Sequence, residues 1–223
     1  MLKPNWQVPD NIQAITICRN DKLSDVPNLP KKLAWLQQVH SNISTKINLD
    51  LFNTNYQPIT ADASYTVDNN VVCLVKTADC LPILLCSNDG SWIAAIHAGW
   101  RGLANNIIEN TILNFNNKNL NKNIIAWLGP AISKSHFEVG EDVYETFTGA
   151  HFSDKVAFDK STYQSDKWYA DLYSLAKLRL VRLGVKNIFT DNYCTYGQPE
   201  LFYSYRRDQG TADRLITLIW KDF

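Results

Sequence analysis

The stretch VVCLVKTADCLPILLCSNDGSWIAAIHA, residues 71–98, decides the fold class. It contains three short apolar runs, VVCLVK (71–76), PILLCS (82–87) and WIAAIHA (92–98). The polar turns TADC and NDG separate these runs, and NDG is typical of a hairpin turn. Because the runs are too apolar to expose one face to water, we predict that they form the centre of a covered sheet.

Strand and helix patterns alternate on both sides of this stretch. Short apolar runs predict further strands at 13–18, 33–40, 123–129, 187–190 and 215–220. Apolar stripes predict helices at 103–115 and 170–184, and the Asn-rich segment 116–123 is expected to be a loop. We therefore predict an α/β (α+β-like) fold, a single-domain layered sandwich over residues 1–223 with a mixed β-sheet and helices on its faces.

The composition excludes several classes of protein. Lysine plus arginine equals aspartate plus glutamate, 22 each, which argues against a protein that mainly binds nucleic acid or an anionic membrane. No apolar run approaches the roughly 18 residues of a membrane span, and the N-terminus lacks the apolar core of a signal peptide. The 5 cysteines follow no CxxC spacing, which indicates reduced thiols. We expect a cytoplasmic protein, either a monomer or a weak homo-oligomer.

Three residues are candidate metal ligands because each lies where a predicted strand ends or turns. His40 and His97 close two predicted strands, and Cys80 lies in the turn TADC. A catalytic zinc typically takes three such ligands and a water, but the three residues follow no compact zinc spacing. Two structural histidines with a buried thiol remain an alternative, as does a nucleophilic Cys80–His97 pair oriented by Asp79 or Asp62.

Two arginine-containing segments are candidate anion sites. Gly99 and Gly102 permit close backbone approach, and Arg101 lies between them at the start of a predicted helix, where anions are favoured. Near the C-terminus, the segment SYRRDQGTADR places arginines next to aromatic residues, a combination that suits stacking on a ring and neutralising a phosphate. Solvated turns are the alternative for both segments. The arginines of the second segment are Arg206, Arg207 and Arg214.

Read together, six motifs resemble those of one family. They are QVHS (38–41), ADAS (61–64), TADCLPILL (77–85), IHAGWRGLANNII (96–108), LGPAISKSHFEVG (128–140) and FYSYRRD (202–208). Their order resembles that of the multicopper polyphenol oxidase or laccase-domain family, whose bacterial members are described as purine nucleoside phosphorylases and some as peptidoglycan-editing factors. The resemblance covers about residues 13–220 and implies a single α/β sandwich around a mixed sheet.

The resemblance also implies a metal centre and an activity. The histidine of QVH, the cysteine of ADC and the histidine of HAGWRG bind the metal in that family, and they match His40, Cys80 and His97. Zinc is the expected metal, and copper would also suit these ligands. The implied substrates are a purine nucleoside and phosphate. Adenosine, inosine, guanosine and methylthioadenosine would yield base and sugar 1-phosphate, with adenosine deamination alongside.

From their places in these motifs we predict roles for further residues. Asp62 or Asp79 would transfer protons. Phosphate would be held by Arg101 together with Arg206 or Arg207.

Two other activities remain open. One is a hydrolase or amidase acting on a cell-wall precursor with Cys80 as its nucleophile. The other is a copper polyphenol oxidase, which is weaker because the chain has only 4 histidines.

The chain also departs from the family pattern in two places. It has ICRNDKLS (17–24) where the family carries a glycine-rich TRxGG.S segment. Near the end it has GTADR (210–214) in place of TGR, which leaves the role of Arg214 open.

Overall fold

Residues 1–53, 55–115 and 123–222 are described by a computed structural model. They form fifteen strands and four α-helices. The strands are β1 Ile12–Ile17, β2 Lys32–Ala34, β3 Leu36–Gln37, β4 Ser44–Lys46, β5 Ile59–Thr60, β6 Ala63–Thr66, β7 Val71–Thr77, β8 Leu81–Ser87, β9 Ile93–Ala98, β10 Ile124–Leu128, β11 Glu138–Gly140, β12 Phe158–Lys160, β13 Lys167–Ala170, β14 Asn187–Thr190 and β15 Leu215–Lys221. The helices are α1 Trp100–Ala104, α2 Ile107–Asn114, α3 Glu141–Ala150 and α4 Leu172–Arg182.

Two larger sheets carry most of the architecture. A six-stranded sheet has the order β14-β10-β8-β9-β6-β4, and a four-stranded sheet has the order β1-β15-β7-β2. Both sheets are mixed. At the two edges of the first sheet, β14 pairs in parallel with β10 and β4 pairs in parallel with β6, and in the second sheet β2 pairs in parallel with β7. Smaller sheets, β11-β13-β12 and β3-β5, complete the fold.

The six-stranded sheet is covered on both faces. Side chains along a strand point alternately to the two faces of the sheet. On one face, Leu84 and Ile93 pack with Val75 and Ile219 of the four-stranded sheet. The alternate residues, such as Ile83, belong to the cluster that contains the buried faces of α2 and α4. Every residue of β8 and β9 is buried. The α/β class with a layered sandwich and helices on the sheet is thus confirmed.

The structure differs from the sequence prediction in the placement of the first apolar run. β7 does not join β8 and β9 but lies in the four-stranded sheet, so the turn TADC crosses from one sheet to the other. Apolar runs buried on both faces look alike whichever sheet they enter. This crossing determines where Cys80 lies.

Two predicted elements are interrupted. The helix predicted at 103–115 is two helices, α1 and α2, because Asn106 has φ 66° and breaks the helical path. The strand predicted at 33–40 consists of β2 and β3, and it ends before His40, which itself has φ 60°. Of the loop predicted at 116–123, residues 116–122 lie outside the described residues.

The helix predicted at 170–184 is confirmed as α4. Asp171 caps its N-terminus by accepting a hydrogen bond from the backbone of Ser174, and Gly184 follows its end with φ +82°. Sequence reasoning missed α3, whose buried residues are only Val143 and Phe147.

No described helix combines the length and apolar character that crossing a membrane requires. The single domain, the cytoplasmic location and the oligomeric state stay predictions.

Candidate functional site

Two turns and the end of one strand bring His40, Cys80 and His97 together. His40 follows β3, Cys80 lies in the crossing between the two large sheets, and His97 lies near the end of β9. Their candidate ligand atoms all lie within 4.8 Å of one another. The Sγ atom of Cys80 is 3.9 Å from Nε2 of His40. Among the residues that the structure describes, this is the one such group of three or more His, Cys, Asp or Glu side chains.

A fully buried carboxylate, Asp62, organises the two histidines. It accepts hydrogen bonds from the backbone N–H groups of Val39 (3.2 Å), His40 (3.0 Å) and Ser41 (2.6 Å), and from the Ser41 hydroxyl (2.7 Å). Its Oδ1 also lies 2.8 Å from Nδ1 of His97. Successive N–H groups pointing at one anion hold the left-handed turn at His40 in place.

The Asp62 contact also determines which nitrogen of His97 is free. With Nδ1 bonded to the carboxylate, Nε2 is left to face Cys80 and His40. Burial raises the pKa of Asp62, but the hydrogen bonds from His97 and Ser41 outweigh burial and lower this pKa to about 2. The carboxylate is therefore ionised and fixes the tautomer of His97, as expected of a residue behind a metal ligand.

Gly99 leaves the space that two of the candidate ligands occupy. A Cβ atom at this position would lie 3.0 Å from Sγ of Cys80 and 3.3 Å from Cδ2 of His40. The φ of Gly99 is −71°, so the requirement is for space and not for a left-handed backbone. Gly99, the first glycine of HAGWRG, thus lets the turn after β9 approach the other two candidate ligands.

Asp79 ties the turn that carries Cys80 to the C-terminal part of the chain. It is buried, has φ 88°, and accepts hydrogen bonds from the hydroxyls of Thr195 (2.6 Å) and Ser204 (3.0 Å). The backbone N–H of Arg206 donates to the same carboxylate at 2.7 Å. Its contacts are therefore those of a residue that positions Cys80 and Arg206.

The charges of the cluster favour a metal-binding state of the thiol. Burial raises the pKa of Cys80, but hydrogen bonds and charges from His40 and His97 lower it to about 6. Burial lowers the pKa of His97, whereas its contacts with Asp62 and Cys80 raise it to about 9, so binding of a metal at Nε2 would release a proton from the imidazole. A thiolate is the form of cysteine that binds metal ions.

The residues fit a zinc ion. Cysteine sulfur and histidine nitrogen are preferred zinc donors, and a tetrahedral zinc would hold them about 3.6 Å apart, given the usual bond lengths. The 3.9 Å between Cys80 Sγ and His40 Nε2 is close to that separation. Three protein ligands leave a fourth position for water or substrate.

The cluster opens into a cavity of about 780 Å³. Its wall is both cationic and aromatic. The Arg101 guanidinium lies 4.4 Å from the centre of the Trp100 ring. The cavity is also lined by Lys76, Asp79, Phe137, Tyr205, Arg206 and Arg214.

The two cationic side chains from the C-terminal segment have their own aromatic neighbours. The guanidinium of Arg206 lies 5.7 Å from the Phe137 ring and donates to the carbonyl oxygen of Glu138 at 3.0 Å. The guanidinium of Arg214 lies 5.8 Å from the Tyr205 ring.

Arg207 occupies a different environment. Its guanidinium donates to both carboxylate oxygens of Asp208 and to the carbonyl oxygens of Thr195, Tyr196 and Phe202. These five bonds use all five N–H groups of the side chain. Arg207 therefore braces its own loop, and its role in phosphate binding stays a prediction.

The structure thus brings most of the predicted site residues to one cavity. His40, Cys80 and His97 line it together with Asp79, Arg101 and Arg206. Asp62 lies behind the histidines, with its side chain fully buried. Sequence reasoning missed Lys76, whose backbone exchanges two 2.8 Å hydrogen bonds with the side chain of Gln38. The sequence feature that points to Lys76 is Gln38 of the QVHS motif, which precedes the turn at His40 and binds the Lys76 backbone.

Comparison with known proteins shows the family to which the chain belongs. The family model described as multi-copper polyphenol oxidoreductase laccase matches residues 2–222, and the chain belongs to that family. A relative from Escherichia coli, named purine nucleoside phosphorylase YfiH, is 42% identical over 212 residues, covering 95% of this chain and 82% of that protein. A relative from Haemophilus influenzae, named purine nucleoside phosphorylase, is 37% identical over 247 residues, covering 98% of each chain.

A solved structure supports the same membership. A Neisseria meningitidis protein is 34% identical, with a TM-score of 0.86, and the alignment covers 100% of this chain and 99% of that one.

Proposed function

We propose that this protein is a zinc-dependent purine nucleoside phosphorylase that also deaminates adenosine. The observation that carries the proposal is one cavity in which a His/Cys/His cluster faces arginine side chains and aromatic rings. The names of the relatives from Escherichia coli and Haemophilus influenzae support it. We propose adenosine, inosine, guanosine and methylthioadenosine as substrates.

In phosphorolysis, a phosphate oxygen forms a bond to C1′ of the sugar while the bond from C1′ to N9 of the purine breaks. The electron pair of that bond leaves with the base, which takes up a proton. Arg101 and Arg206 both line the cavity, and their guanidinium groups would hold the phosphate dianion. Lys76 adds a third positive charge to the same wall.

Aromatic side chains would hold the purine. Trp100, Phe137 and Tyr205 line the cavity beside the cationic groups. A planar base gains from stacking on such rings, and the cavity volume of about 780 Å³ accommodates a nucleoside together with phosphate.

His40, Cys80 and His97 would hold the zinc, which when bound polarises a substrate oxygen or nitrogen and makes a water molecule more acidic. Asp62 would hold His97 in the tautomer that leaves Nε2 free, so we propose Asp62 as a positioning residue. Asp79 would position Cys80 by holding the turn that carries it. The proton-transfer roles of both carboxylates stay predictions.

A nucleoside panel with and without phosphate tests the proposal. We expect adenosine plus phosphate to release adenine and ribose 1-phosphate, with loss of activity on chelation and recovery on zinc addition. Release of inosine and ammonia from adenosine would report deamination. Absence of phosphate-dependent base release from every purine nucleoside in the zinc-loaded protein would refute the phosphorylase proposal.

A second candidate function is favoured by one observation. Cys80, His97 and Asp62 form a thiol, imidazole and carboxylate series, in which the His97–Asp62 distance is 2.8 Å. Such a series also activates a nucleophile, so an amidase acting on a cell-wall precursor remains the alternative. Full amide hydrolysis by metal-free protein would favour it. A copper polyphenol oxidase is the weakest candidate, since the described residues hold one ligand cluster only.

A further inference from the structure

A second thiol–imidazole pair lies outside the metal cluster. Sγ of Cys194 is 3.6 Å from Nδ1 of His136 and 3.0 Å from the hydroxyl oxygen of Ser133. That hydroxyl lies 3.1 Å from the same Nδ1. The thiol proton therefore has a short path to the imidazole, either directly or through Ser133.

The surroundings also stabilise the sulfur once it has lost its proton. The backbone N–H of Gly197 points at Sγ of Cys194 with an N···S distance of 3.2 Å. The His136 ring is held by stacking on Tyr196, with ring centres 4.4 Å apart. A donor aimed at the sulfur and an imidazole of fixed orientation are two features of activated thiols.

The other cysteines lack this combination. Cys73 and Cys86 are buried, and burial raises the pKa of each to about 12. Burial also raises the pKa of Cys18, to about 11. Cys80 belongs to the metal cluster. Cys194 is only partly buried, so a reagent can reach it.

We propose that Cys194 is a site of thiol–disulfide exchange with low-molecular-weight disulfides, with His136 as the base that generates its thiolate. In this reaction the Cys194 thiolate attacks one sulfur of the disulfide and forms a new S–S bond. The original S–S bond breaks, its electron pair leaves with the second sulfur as a thiolate, and the imidazolium proton can then pass to that leaving thiolate. No additional oxidant is needed, because the disulfide itself is reduced.

The pair is joined to the cavity wall by a short path. Thr195, which follows Cys194, donates its hydroxyl to Asp79 at 2.6 Å. A group attached to Cys194 therefore lies next to the segment that holds the turn of the metal cluster.

Oxidised glutathione, with site-resolved mass spectrometry of the full chain, tests the proposal. We expect Cys194 to acquire the glutathione adduct about 10-fold faster than Cys18, and the rate at Cys194 to fall about 10-fold or more in His136→Phe, as loss of a positioned base predicts. His136→Phe keeps an aromatic ring for the stack on Tyr196. Because the adduct is assigned to a residue, the result does not depend on metal content.

Ser135→Ala is the matched control, since it removes a neighbouring hydroxyl of His136 but keeps the one that also contacts the thiol. We expect its rate to stay within about twofold of the parent. If His136→Phe does not fold, as judged by thermal unfolding, His136→Gln replaces it. Equal rates at Cys194 and Cys18, or an unchanged Cys194 rate in the folded His136 variant, would overturn the proposal.

Discussion

The substitution Asp62→Asn is the sharpest test of the site, because one buried carboxylate serves both histidines. Its two oxygens accept five hydrogen bonds, from three backbone N–H groups, one hydroxyl and one imidazole. Asparagine keeps the shape but replaces one oxygen with an amide that donates. With the amide nitrogen at the Oδ2 position, the backbone N–H groups of Val39 and Ser41 face a donor. With it at the Oδ1 position, the backbone N–H of His40 faces a donor and Nδ1 of His97 must accept a hydrogen bond instead of donating one.

The expected cost follows from that count. Each buried donor without an acceptor costs about 1–3 kcal/mol, so one or two such donors lower the free energy of unfolding by about 1–6 kcal/mol. With the amide nitrogen at the Oδ1 position, it also favours the His97 tautomer with the proton on Nε2, the nitrogen that faces Cys80 and His40. Loss of such a supporting carboxylate typically lowers metal affinity about 10–100-fold.

Urea unfolding and competition for zinc with a chromophoric chelator measure the two effects separately. Asp10→Asn is the control, because Asp10 is exposed and the same change there should alter neither quantity. The reasoning would be refuted if Asp62→Asn unfolded within about 0.5 kcal/mol of the parent, a change typical of a surface site, and bound zinc equally well.

Three further outcomes are expected. Gly99→Ala should weaken zinc binding, because its Cβ would lie 3.0 Å from the sulfur ligand, whereas Gly149→Ala has open space and should leave zinc binding unchanged; equal competition curves would contradict this. Zinc added at about 100 times its Kd should stabilise protein stripped of metal by a chelator by about 2.7 kcal/mol. Differential scanning calorimetry should then show a rise in Tm of about 5–10 °C, and an unchanged Tm would count against a folded metal site. Arg101→Gln should raise the KM for phosphate at least about 10-fold in the phosphorolysis assay, as loss of a charged hydrogen bond predicts, while the exposed Lys177→Gln should not; matching values would remove Arg101 from the phosphate site.

The sequence predicted the elements well wherever local physics decided them. Apolar runs bounded by turn residues located β8 and β9, and the Asp171 cap with the Gly184 terminus located α4. The interruption at Asn106 was not predicted, because an apolar stripe continues across it and only the backbone angle shows the break.

The candidate site was predicted in part. His40, Cys80 and His97 were recognisable because all three stand at ends or turns of strand patterns and match family motifs. The contacts of Asp62 were not, because they join groups from separate segments, and those of Arg207 were not, because they depend on how its own loop closes. The carboxylate of Asp62 accepts bonds from the turn at 39–41 and from β9, and the guanidinium of Arg207 closes a loop on itself.

What the sequence by itself determined is the alternation of strands and helices, since local periodicity decides it. It also singled out His40, Cys80 and His97 as candidate ligands, since they stand at ends or turns of strand patterns and match family motifs. What only the tertiary structure decided is that the turn TADC crosses between two sheets and so places Cys80 beside His40 and His97. Pairing of distant strands is a property of the whole packed core. Until every other element has taken its place, an apolar strand can pack equally well in either sheet. The same reason explains why the Cys194–His136 pair became visible only once residues 136 and 194 had been folded together.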